Sequence, residues 1–246
     1  MTTANLMDEW NELPWKQFER QVFKLQSRIY RASQRGDVKT VHRLQKLVMK
    51  SWAARCLAVR RVSQDNQGKK TAGVDGVKLI TPPRRFSLAQ SLRASGKARP
   101  LRRVWIPKPG SREQRPLGIP TLFDRARQGL VKIALEPEWE AKFEPNSYGF
   151  RPGRSAHDAI EAIFGGIRLK AKYVLDADIA KCFDRIDHQA LLTKLSTYPG
   201  LRRVIRGWLR AGVMDGQRLF PTDEGTPQGG VSTPPAILQN GFLSSR

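Results

Sequence analysis

Two carboxylates one residue apart, Asp176 and Asp178, close a short apolar run that begins Tyr173-Val-Leu, and Ile179-Ala-Lys-Cys-Phe183-Asp-Arg-Ile-Asp-His188 follows at once. Side chains alternate along an extended chain, so a strand over 172–178 sets both aspartates on one face and carries them to its end. Acidic oxygens at such a rigid place suit two divalent cations about 4 Å apart, the arrangement that joins a hydroxyl to a phosphate with loss of pyrophosphate. A local reading competes: Asp178 caps a helical turn over 180–184. Downstream, Gly225-Thr-Pro-Gln228-Gly-Gly230 offers glycines that permit close backbone approach and an amide able to hydrogen-bond a base. Upstream, Arg102, Lys108 and Arg115 are long cations of the kind that grip a polyphosphate, Arg bidentately, or that simply coat a solvated surface.

These groups need elements to hold them. Arg102-Arg-Val-Trp-Ile-Pro-Lys108, Pro109-Gly110 and Arg115-Pro-Leu-Gly-Ile-Pro120 read as strand, turn and strand, a β-hairpin bearing the cations. Thr121 is placed to cap a helix whose stripe of Leu122, Ala126, Leu130, Ile133 and Ala134 reaches Trp139. Ser155-Ala-His-Asp158 has the spacing of a capping box, with Asp where Glu is usual, and starts a helix through Ile163. Further helices are expected over 188–195 and 201–210, with a short strand over 217–221. Nearer the N-terminus, Phe18, Val22, Leu25 and Ile29 recur at helical spacing over 13–31. Gly36-Asp37 then breaks and recaps the chain, and Val41, Leu44, Val48 and Trp52 predict a second helix running towards Val62, antiparallel to the first. Residues 64–76 form a polar, glycine-rich loop. A helix around 88–94 is expected in the proline- and arginine-containing stretch 81–100.

The chain has 44 Lys+Arg against 22 Asp+Glu in 246 residues, a formal net charge of +22, and its cations are interleaved with apolar periodicity throughout. A folded surface of that sign repels itself unless a polyanion neutralises it, so the expected partner is nucleic acid. The two cysteines, Cys56 and Cys182, lie far apart with no metal-ligand companions, which favours a reduced interior compartment, cytoplasmic or otherwise organellar or bacterial. Asp8 and Glu9 stand where a secretory leader needs an apolar run, and no stretch reaches the roughly 18 uncharged residues of a membrane span.

Taken as strings, Asp178-Ile179-Ala-Lys-Cys-Phe183-Asp-Arg-Ile-Asp-His188 and Gly225-Thr-Pro-Gln-Gly-Gly230 resemble the palm of group II intron-encoded reverse transcriptases that double as splicing maturases. Lys70-Thr-Ala-Gly-Val-Asp-Gly76, the paired Ile-Pro-Lys108 and Arg115-Pro-Leu-Gly-Ile-Pro strings, and Asn146-Ser-Tyr-Gly-Phe-Arg-Pro-Gly-Arg-Ser155 extend the likeness over residues 13 to about 233 in the family's order. The resemblance implies an α+β fold, with an N-terminal helical extension (1–66), polymerase-type fingers (67–172) and an incomplete palm (173–246). It implies RNA-directed DNA synthesis with magnesium, an RNA template, a DNA primer and a deoxynucleoside triphosphate. It assigns the metal to Asp178 and the Ile179 carbonyl, and the nucleotide to Arg102, Lys108, Arg115, Phe183 and Gln228. Phe183 would sit beneath the sugar and exclude a 2′-hydroxyl, although an aromatic there is equally suited to the core. Tyr148, Arg151 and Arg154, with Phe150, would meet template RNA, although loop aromatics also serve as anchors.

The sequence contains no Tyr-x-Asp-Asp, the family's other metal-binding turn, and Val231-Ser-Thr-Pro-Pro-Ala departs from the usual continuation. One of the three usual catalytic carboxylates is then present. The expectation is a truncated form inactive alone, completed by a second polypeptide, or else a non-catalytic RNA-binding module that assists intron splicing.

Overall fold

A computed structural model describes residues 10–78, 80–92, 97–107, 110, 112–177 and 182–226. It is an assembly of helices with one small mixed sheet, the α+β class expected.

Helix α1 (Trp15–Gln34) buries Phe18, Val22, Ile29 and Ala32 and leaves its cations outside. Gly36, at φ 69°, turns the chain, and the Asp37 carboxylate accepts from Thr40 N–H at 3.0 Å to start α2 (Val38–Lys50). A link this short folds α2 back against α1 as an antiparallel pair. The second helix expected to run on to Val62 is in fact interrupted. Ser51 takes an extended conformation (ψ 125°), ends α2, and caps α3 (Trp52–Arg60) by accepting from Ala54 N–H. A serine hydroxyl competes with the helical backbone for its own N–H groups, and the apolar stripe continues across the break without registering it. After α3 the chain winds on in a wider π turn (Arg61–Asp65) and a 3₁₀ turn (Gln67–Lys70), where a plain loop is expected.

Helix α4 (Pro82–Ser91) starts and ends earlier than its expected position around 88–94, with proline in its first turn, where the missing N–H costs nothing. Strands β1 (Leu101–Pro107) and β2 (Gln114–Ile119) form the expected hairpin, with Arg102 opposite Ile119 and Ile106 opposite Arg115. Thr121 Oγ1 then accepts from Asp124 N–H and begins α5 (Leu122–Glu140).

Helix α5 is the axis of the molecule and is buried on nearly every side, against α1, α2 and α3. Close approach to α3 is possible because small residues meet there: Ala53, Ala54, Cys56 and Ala58 line α3, and Gly129 faces Ala58. Two of the charged residues carried into this core are held by several hydrogen bonds. Arg125 donates to the carbonyls of Gly68 (2.7 Å) and Thr71 (2.6 Å), fixing the 3₁₀ turn. Asp124 accepts from Thr121 Oγ1 (3.0 Å), Arg99 N–H (3.3 Å) and Trp208 Nε1 (3.1 Å).

The Ser155 capping box forms as expected, Ser155 accepting from Asp158 N–H while Asp158 accepts from Ser155 N–H, and opens α6 (Ala156–Ile167). No residue of α6 is buried. Ile160, Ile163, Phe164 and Ile167, one stripe at helical spacing, are all exposed. The strand expected over 172–178 is absent in its described part: residues 171–177 form no regular structure, with Tyr173, Val174 and Leu175 in solvent. An apolar run becomes a strand only where another strand accepts its backbone groups. None lies beside it among the described residues.

A 3₁₀ turn (Cys182–Arg185) occupies the described part of the helical turn read over 180–184 and leads into α7 (His188–Leu195), capped by Asp187, and α8 (Pro199–Leu209). Both helices bury their leucines in the main core. Strands β3 (Val213–Asp215) and β4 (Arg218–Phe220) complete a sheet of order β2-β1-β3-β4, in which β1 and β3 run parallel and the other neighbours antiparallel. Among the described residues no helix is long and apolar enough to cross a membrane.

Candidate active site

Three hydrogen bonds stitch the turn after Asp178 to the start of the glycine-rich motif. Thr226 N–H donates to the Phe183 carbonyl (2.6 Å), Gly225 N–H donates to the Ile186 carbonyl (2.9 Å), and His188 Nε2 lies 2.7 Å from the Gly225 carbonyl oxygen. Only glycine fits at 225. Its φ is 77°, and a Cβ would lie 2.7 Å from the Asp184 carbonyl oxygen. The described ends of the two motifs that could do phosphoryl chemistry therefore meet along a shared backbone seam. Phe183 is half-buried and packs against the hydrophobic core. Asp178, Ile179 and Gln228 lie outside the described residues.

On the hairpin, Arg102 and Arg115 occupy the same face of the β1/β2 pair, about 13 Å apart along the strands at roughly 3.3 Å per residue. Arg115 is exposed, and Arg102 Nε is buried without a hydrogen-bond partner among the described residues. Lys108 lies outside them.

The loop after α5 divides its cations. Arg151, 7 % exposed, makes a two-pronged pair with Glu140 (Nη2 to Oε1 2.6 Å, Nε to Oε2 3.1 Å). It also donates to the carbonyls of Glu144 (2.7 Å) and Ser147 (2.8 Å) and lies over the Phe143 ring. A guanidinium so occupied fastens the loop to α5. Arg154 stacks on Tyr148, 5.1 Å from the ring centroid, and donates to the Pro145 carbonyl (2.8 Å) while remaining half-exposed. Between them Phe150 stands out into solvent with φ 57°, a conformation a bulky L-residue seldom adopts.

Burial governs the electrostatics beneath the site. Arg125 and Arg127 on α5 have their guanidinium pKa lowered by desolvation, with Asp75 and Asp124 respectively opposing the shift. Sequence patterns gave no sign of the Arg151–Glu140, Asp124–Trp208 or His188–Gly225 contacts, which join residues 11, 84 and 37 positions apart. Among the described residues no cluster of three or more His, Cys, Asp or Glu can hold a metal ion. The described residues alone do not make a divalent-metal site.

Residues 10–92 match the N-terminal domain of reverse transcriptase, and residues 106–240 match the reverse transcriptase (RNA-dependent DNA polymerase) family. The chain is 36% identical over 187 residues to group II intron-encoded protein LtrA of Lactococcus lactis subsp. cremoris, covering 72% of this chain and 30% of that protein. It is 35% identical over 218 residues to protein YkfC of Escherichia coli K12 (83% and 56%). To maturase-like protein 1 of Euglena gracilis it is 33% identical over 195 residues (74% and 41%). The chain thus spans between 30% and 56% of these relatives' lengths. The fold is similar to a chain of a partial Cas6-RT-Cas1--Cas2 complex, with a TM-score of 0.50 at 20% identity, covering 81% of this chain and 34% of that one.

Proposed function

We propose, for a chain that belongs to the reverse transcriptase (RNA-dependent DNA polymerase) family, that it supplies the helical extension, the fingers and one side of the palm of a group II intron-type enzyme. The family binds RNA templates and generally uses a divalent metal ion. In this reading residues 1–66 form the extension, 67–172 the fingers and 173–246 the palm portion.

The observation that carries the reading is the seam joining the Phe183 turn to Gly225 and Thr226. It draws the ends of two separate motifs together, as a polymerase palm requires. We assign magnesium to Asp178 and the Ile179 carbonyl, the triphosphate to Arg102, Lys108 and Arg115, and the base pair and sugar to Gln228 and Phe183. Phe183 would then brace the sugar from the core side. Template contacts fall to Tyr148, Arg154 and the projecting Phe150, with Arg151 setting the loop that presents them. The metal would supply charge neutralisation at the leaving pyrophosphate, and the chain's own cations would orient the triphosphate.

Residues 1–246 contain no Tyr-x-Asp-Asp, so primer extension on an RNA template by a polypeptide of these residues should yield no product, and supplying that turn should restore synthesis. Robust extension by the chain alone would refute the assignment of the missing carboxylates.

The basic faces of α1 and α2 favour a second reading, an RNA-binding module that assists splicing without synthesis. Salt-dependent binding to structured intron RNA that survives Asp178→Ala supports it, and absence of RNA affinity at moderate salt removes it.

A further inference from the structure

The sheet has a second face, turned away from Arg102 and Arg115. Register puts Arg103 and Trp105 of β1 on it together with Asp215 of β3 and Arg218 and Phe220 of β4. The Arg103 guanidinium carbon lies 5.6 Å from the Trp105 ring centroid and 5.4 Å from that of Phe220, and Asp215 holds the same guanidinium at 3.6 Å. One cation is clamped between two aromatic rings. Trp105 remains 47% exposed and Phe220 42% exposed. Arg218, opposite Asp215, is exposed, and its side chain has no hydrogen-bond or ion-pair partner among the described residues.

An aromatic ring kept half in water on an open sheet is costly unless something covers it. Here the covering group is indicated by charge and by shape. The rings are flat and fixed in orientation by Arg103, the neighbouring free charge is positive, and the whole chain carries +22. We propose that this face is a stacking platform for single-stranded nucleic acid, Trp105 and Phe220 each taking one unpaired base and Arg218 a phosphate between or beside them. Arg103, already neutralised by Asp215, sets the ring planes without meeting the strand's charge. The platform lies on the face opposite Arg102 and Arg115 and needs no catalytic carboxylate, so it stands or falls apart from the polymerase assignment.

Tryptophan fluorescence tests it directly. Of the six tryptophans, Trp105 is the exposed one; the other five are buried or half-buried. Titration of the full chain with ten-nucleotide oligo(U) or oligo(dT) is expected to quench the long-wavelength part of the emission and to protect it from acrylamide. The two strands should bind comparably, since stacking reads the face of a base and not its sugar. Trp105→Ala and Phe220→Ala should each weaken binding roughly five-fold or more, while Trp105→Phe abolishes the signal and keeps most of the affinity. Arg218→Ala should flatten the salt dependence of log affinity by about 0.7, the share of one phosphate on a single strand. All three positions are at the surface, so unchanged circular dichroism and melting temperature establish that the variants fold. Wild-type affinity in the Trp105→Ala, Phe220→Ala double variant, or quenching by duplex RNA with none by either single strand, would overturn the proposal.

Discussion

His188 Nε2 meets the carbonyl oxygen of Gly225 at 2.7 Å across 37 residues of sequence, in a site where the imidazole is 7 % exposed. The contact requires a proton on Nε2, so it selects that tautomer in the neutral ring.

Substitution at this seam should open it. His188→Ala leaves a buried carbonyl without a donor, which costs on the order of 1–3 kcal/mol. Gly225→Ala adds backbone strain and a clash with the Asp184 carbonyl and should cost at least as much. Urea denaturation reads the loss. Hydrogen exchange at the Thr226 amide, which donates to Phe183, should accelerate in both variants while exchange in α1 and α2 changes less.

Arg151→Met removes one partner of an ion pair whose guanidinium is almost wholly enclosed. The expected destabilisation is about 3 kcal/mol, at the low end for buried pairs because Glu140 remains about a quarter exposed. Limited proteolysis should then cut within 144–154, and Glu140→Gln should give a milder version of the same pattern. Unchanged cleavage in Arg151→Met would show that the loop is held by other contacts.

Phe150→Gly should move stability and binding in opposite directions. Relief of a left-handed backbone stabilises the fold by roughly 1 kcal/mol, the penalty an L-residue carries there. Loss of the exposed ring should weaken binding to single-stranded template if the ring stacks on a base. A variant both more stable and equally tight would discard Phe150 as a template contact.

Alkaline pH should weaken the fold. Burial raises the Cys56 thiol from 9.0 to about 12 and the Tyr198 phenol from 10.0 to about 12. Both folded values exceed the unfolded ones, so this stability is fully present below pH 9 and drains away as pH rises towards 12. The combined loss is on the order of several kcal/mol. Cys56→Ala should flatten the thiol's part of the decline in a series of urea melts, leaving the part due to Tyr198. An identical slope in the variant would mean that Cys56 is not the titrating group.

What the sequence revealed here is what adjacent residues decide among themselves. Asp37, Thr121 and Ser155 each start a helix through a hydrogen bond to a residue three positions on, and the Arg102 to Pro120 hairpin follows from alternation around a Pro-Gly pair. The interruption at Ser51 escaped because the apolar stripe of the second helix continues straight through it. The strand over 172–177 failed for a different reason: its residues have β character, but pairing is a property of the neighbour. Arg151 illustrates the limit for the site. Its motif advertises a cation for RNA, and only the position of Glu140 in space turns that cation inward.

The bare stripe of Ile160, Ile163, Phe164 and Ile167 sets how this protein behaves in a test tube. At low ionic strength a charge of +22 keeps molecules apart, with a Debye length near 30 Å at 0.01 M. At 0.15 M that length shrinks to about 8 Å, the electrostatic barrier thins, and grease meets grease. High salt, customary for stripping nucleic acid from basic proteins, should therefore drive this one towards clumping, and light scattering against salt should rise where most such proteins become clearer.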